Sequence, residues 1–78
     1  MKLSEARTGQ RLCVVGFGQL GRAQLKLMDL GIVPGVEIKL LSRFLLGGPL
    51  LLQIGRTHVA IGRRIAEGIL VEEVPEKD

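Results

Sequence analysis

The chain has 78 residues, 46% of them hydrophobic, with eleven glycines, three prolines and a net charge of +3 at pH 7. That length fills one domain, near the low end of what a single core supports, and the composition excludes a disordered or low-complexity chain. The single cysteine, Cys13, excludes an internal disulfide and points to a reducing, cytoplasmic setting; neither a leader nor a membrane-spanning helix is expected from the apolar pattern.

Leu3-Ser4-Glu5-Ala6 suits one helical turn, broken at Thr8-Gly9, and Gln10 to Val15 reads as a first strand. Gly16 to Gly21 is a glycine-rich connection. Leu20, Ala23, Leu27 and Leu30 then recur at helical spacing and predict a helix from Gln19 to Leu30, roughly 18 Å long, with Gly18 as its N-cap. Gly31 can leave that helix in a left-handed conformation, which returns Ile32 against Leu27 as in a Schellman ending. Pro34-Gly35 suits the centre of a type II turn. Val36 to Arg43 alternates as a second strand, and Gly47-Gly48-Pro49 marks a reversal.

Leu50, Leu52 and Ile54 give a third strand its inward face. Gly55-Arg56 is a two-residue hairpin signal of the type II′ kind. Thr57 to Ile61 forms the fourth strand, Gly62 to Gly68 leaves room for one helical turn, and Ile69 to Val74 is the last strand, stopped by Pro75. Five short strands with one helix after the first predict a mainly β fold: a small, partly open barrel. Residues 1–75 form the single domain and 76–78 an acidic tail.

Gly16-Phe17-Gly18-Gln19-Leu20-Gly21 fits the dinucleotide fingerprint G-x-G-x-x-G, and Glu37 stands on the following strand. The rest of the chain argues against that use. A dinucleotide fold needs repeated strand–helix–strand units, whereas only closely spaced strands follow Leu41, and Glu37 lies at the start of its strand rather than the end. A strand-to-helix loop is the stronger reading. His58 and Cys13 are far apart in sequence and lack the close ligand pair typical of a zinc site, so no metal or cofactor is expected. Ser4, Thr8, Ser42 and Thr57 have no neighbouring base, so no catalytic residue is indicated.

The charge is scattered: seven of the eleven Lys and Arg residues precede Phe44, and the end is acidic. With Phe17 and Phe44 the only aromatics, no nucleic-acid partner is expected; a small basic nucleic-acid-binding barrel is the alternative function, and a dinucleotide-binding fragment a weaker one. The residues with the best claim to function are apolar ones that a small core does not need. Leu25 and Met28 lie off the helical stripe, Phe44-Leu45-Leu46 precede a turn that should be polar, and Leu41 and Leu51 fall on the outward parity of their strands. Together they point to a surface covered by a partner or by a second copy of the chain.

The order strand, helix, Leu-x-x-Leu-Gly-Ile-x-Pro-Gly, strand, Gly-Gly-Pro hairpin and closing strand resembles the FeoA family, from about Leu3 to Val71. Its anchors are Gly9, Leu27, Leu30-Gly31, Pro34-Gly35, Gly47-Gly48-Pro49, Ala60, Ala66 and Ile69-Leu70-Val71. The chain departs from the family at Gly62, where an arginine is common, and near Arg64 and Ile65, where acidic residues are. The resemblance implies an SH3-like barrel with an inserted helix. It also implies a cytoplasmic, non-enzymatic accessory role in ferrous-iron transport, exercised on the GTPase part of the membrane permease FeoB. Contact with the membrane is then only through that partner, and the contact residues expected here are Leu25, Met28, Phe44, Leu45 and Leu46.

Overall fold

The computed structural model describes residues 1–75; the expected acidic tail, 76–78, lies outside the described residues. In chain order come a 3-10 turn (Leu3–Glu5), β1 (Arg11–Phe17), α1 (Arg22–Asp29), β2 (Glu37–Arg43), β3 (Leu50–Ile54), β4 (Thr57–Ile61), α2 (Arg63–Ala66) and β5 (Ile69–Glu73). All strand pairings are antiparallel and the order across the sheet is β4-β3-β2-β1-β5. This is the mainly β, SH3-like architecture expected, with one helix of more than a single turn, inserted after the first strand.

Two bulges curl the sheet. Val14 pairs with Val71 and Gly16 with Leu70, which leaves Val15 as an extra residue on β1. Leu41 is extra on β2, between the pairs Leu40–Leu52 and Ser42–Leu51. An unpaired residue bends and twists its strand, so the two bulges fold one face inward. That face carries Leu12, Val14, Ile38, Leu40, Leu50, Leu52, Ile69 and Val71, all buried, at the every-other-residue spacing of strands. Burying each such side chain contributes about 1.5–3 kcal/mol. No polar residue among those described is buried with them.

The passage from α1 into β2 forms as the sequence predicts. Gly31 has φ 93°, its N–H donates to Met28 O at 3.0 Å, and Ile32 N–H donates to Leu27 O at 2.9 Å. These are the two hydrogen bonds of a Schellman motif, and Leu27 and Ile32 are both buried. Gly35 follows with φ 95° and Val36 N–H donates to Val33 O at 3.1 Å, closing the type II turn. At the β3–β4 hairpin Gly55 has φ 58° and Arg56 a negative φ, as type II′ requires.

The start of α1 differs from expectation. Gly16 and Phe17 belong to β1, and the helix begins at Arg22 behind Gly21, whose φ is 57°. Gly18 is therefore not the cap; its N–H donates to Gly68 O at 2.7 Å, tying the loop to the start of β5. With the helix cut to eight residues, Leu27 is its one buried side chain, Leu20 and Ala23 are half-buried, and Leu30 is 48% exposed. Leu30 is the C-cap of a helix too short to lay a full stripe on the core, which corrects its place among the buried positions. Leu51 keeps its outward parity between the buried Leu50 and Leu52 and Leu41 is the bulged residue of β2; both are half-buried rather than fully exposed.

The N-terminal segment closes the molecule. Lys2 bridges Leu70 of β5, and Val71 N–H donates to Met1 O at 2.8 Å. From β2 the Arg43 guanidinium donates to Ala6 O at 2.6 and 3.0 Å and also to Ser4 O. Hydrogen bonds from a charged donor contribute about 1.5–3 kcal/mol, less where solvent competes. Arg43→Gln is accordingly expected to lower stability by about 1 kcal/mol and to speed hydrogen exchange of the Ala6 amide, measured by native-state NMR, while β3 and β4 keep their protection.

Candidate functional site

The loop between β2 and β3 is closed by Phe44 N–H donating to Pro49 O at 3.1 Å. Inside it Gly48 N–H donates to Leu45 O at 3.3 Å, and the two residues between have positive φ, Leu46 at 62° and Gly47 at 73°. Positive φ at both central positions is the pattern of a type I′ turn, whose favoured sequences are Asn-Gly, Asp-Gly and Gly-Gly. A leucine there is unsuited to the backbone. A left-handed conformation costs an L-residue about 1–2 kcal/mol, and Leu46 recovers nothing by burial: it is fully exposed, with Leu45 89% and Phe44 52% exposed. The three side chains line a shallow depression of about 290 Å³ with Arg43, Gly48 and Arg63.

On α1 Leu25 is 65% and Met28 41% exposed, one turn apart on the side away from Ala23 and Leu27. All five expected contact residues are therefore at the surface. Phe44, Leu45 and Leu46 share the hairpin tip and Leu25 and Met28 share a helix face, but no cavity described is lined by both groups.

Between α1, β4 and α2 lies a cleft of about 160 Å³ lined by Ala23, Lys26, Leu27, Ala60, Ile61, Gly62 and Ile65. Small residues from three elements leave it open, and only their spatial meeting reveals it. Two of the three positions named at the departures from the family pattern line the cleft: Gly62, the N-cap of α2, and Ile65.

The remaining side chains offer little chemistry. Glu37 forms a bidentate pair with Arg11 across β1 and β2, at 2.8–3.0 Å, so its carboxylate is engaged on the sheet. Cys13 is half-buried on β1, and His58 is exposed on β4, three strands away. Among the described residues no three His, Cys, Asp or Glu side chains converge on a metal position. The glycine run is spent on a strand end, a hydrogen bond to Gly68 and a helix start, within a sheet that has no parallel pair.

Known proteins bear on what such a surface serves. The FeoA domain model matches residues 1–73. The chain belongs to the FeoA family. It is thus a member of a family of non-enzymatic accessory proteins associated with ferrous-iron transport. Among solved structures it is similar to the FeoA protein of Chlorobium tepidum, with 33% identity, TM-score 0.89, and coverage of 100% of this chain and 74% of that one. It is also similar to the FeoA of Stenotrophomonas maltophilia, described as a prokaryotic SH3 domain protein and crystallised with zinc (30% identity, TM-score 0.78, coverage 92% and 89%). ScaR, crystallised with bound zinc, shares the fold alone, at 19% identity and TM-score 0.84, the likeness covering 95% of this chain and 37% of that one. No curated protein sequence matches the chain. Within the described part of this FeoA domain no helix is long and apolar enough to cross a membrane.

Proposed function

We propose that this FeoA domain works in the cytoplasm as a docking module for the GTPase part of a FeoB-type iron permease, through Phe44, Leu45 and Leu46 with Leu25 and Met28. The observation that carries the reading is Leu46, a large apolar side chain held on a left-handed backbone and fully exposed. Neither the turn nor the core gains from it, so its use lies outside the monomer. Family membership supports the class of partner, because the FeoA family is associated with ferrous-iron transport. Covering three bulky side chains supplies the central apolar patch on which most interface energy depends.

Calorimetric titration against the isolated GTPase domain, with and without guanine nucleotide, tests this directly. Binding in the micromolar range is expected, weakened at least about tenfold, or 1.4 kcal/mol, by either Phe44→Asp or Met28→Asp. Circular dichroism should show both variants folded, since neither residue belongs to the core. Absence of binding by the unmodified protein at high micromolar concentration contradicts the partner assignment.

A further inference from the structure

We propose that the cleft between α1, β4 and α2 is an anchor pocket for one bulky apolar side chain of an extended, acidic peptide segment. This goes beyond the partner proposed above and uses none of the hairpin or outer-helix residues. The walls are apolar: Ala23 and Leu27 on α1, Ala60 and Ile61 on β4, and Ile65 on α2. Its volume of about 160 Å³ is close to that of an engineered apolar cavity, about 150 Å³, that takes up benzene. A phenylalanine or leucine side chain is the natural size for it.

Charge selects what flanks that side chain. Lys26 is the one ionisable residue lining the cleft, and no carboxylate lines it. Arg64 is exposed on the same turn that supplies Ile65, while the Arg63 guanidinium lies beside Gly47 at the hairpin depression. Neither Lys26 nor Arg64 has an ion pair among the described residues. An apolar pocket inside a basic rim is complementary to an apolar side chain between carboxylates. The backbone adds a reason for the segment to be extended. β4 stands at the end of the sheet order, and it contains no proline. Its free edge can pair with an added strand, the usual way an open sheet edge takes a peptide.

The test is a methyl and amide NMR titration of the full chain with the acetylated, amidated peptide Glu-Asp-Phe-Glu-Asp. Two controls replace its phenylalanine by alanine or its acidic residues by lysine. Shifts at Ala23, Ala60 and Ile65 are expected with the first peptide and not with either control. Ala60→Leu, an exposed position whose larger side chain fills the cleft, should abolish them with an unchanged melting profile, and Ala23→Leu serves the same purpose from the other wall. Lys26→Glu should weaken the affinity at least tenfold. Absent shifts, equal shifts with the lysine peptide, or shifts confined to residues 44–46 overturn the proposal. So do shifts of the cleft signals that follow protein concentration with no peptide present, which identify the occupant as a second copy of the chain.

Discussion

Gly68→Ala is expected to cost about 2 kcal/mol of stability and to lower Tm by roughly 8–16 °C. The reason is crowding, since the φ of Gly68 is not positive. A Cβ at this position meets the Leu20 side chain, with Cγ at 2.6 Å and Cδ1 at 3.2 Å. Leu20 packs against the core, so it cannot turn away without losing that burial. The same two segments are joined by Gly18 N–H donating to Gly68 O, so a backbone shift strains that bond as well. For a domain of this size, whose whole stability is about 4–12 kcal/mol, the loss is severe. A double-mutant cycle with Leu20→Ala checks the cause by thermal denaturation. The alanine at position 20 removes the clash, so the double variant should be clearly more stable than the sum of the two single losses. Simple additivity would show that Gly68 matters for another reason.

The opposite sign is expected at the hairpin tip. Leu46→Asn should raise stability by about 1 kcal/mol and Tm by roughly 4–8 °C. Asparagine tolerates the left-handed conformation, and Asn-Gly is a preferred centre of a type I′ turn. Nothing is lost inside, because Leu46 is fully exposed. A residue whose replacement stabilises the fold is one the fold did not require.

Much of the architecture was legible because it follows from local pattern. Alternation at Leu12 and Val14, Ile38 and Leu40, Leu50 and Leu52, and Ile69 and Val71 marks the inward face. Gly31, Pro34-Gly35 and Gly55 each carry enough turn chemistry to fix a reversal by themselves. The structure departs from local pattern where distant segments decide. The pairing of Phe17 with Ile69 keeps β1 going through a glycine that local propensity reads as loop. The contact of the 18–20 loop with Gly68 delays the helix to Arg22, and with it Leu30 loses its place in the core. The bulge at Leu41 depends on β3 and is invisible in β2 alone.

The candidate surface divides the same way. Phe44, Leu45 and Leu46 stood out in the sequence because a Gly-Gly-Pro reversal should not be preceded by three bulky apolar residues. The left-handed backbone at Leu46 was not legible, since turn type depends on how β2 and β3 meet. Nor was the cleft, whose walls come from residues 23–27 and 60–65, far apart in the chain.

The central claim is that Leu46 serves a partner at the expense of the fold, and two readings on one variant test it most directly. Thermal melts and titrations with the permease GTPase domain should be run side by side on the unmodified protein and Leu46→Asn. The account requires a higher Tm together with affinity at least about tenfold weaker, a loss of about 1.4 kcal/mol. A lower Tm, or undiminished binding, would contradict it.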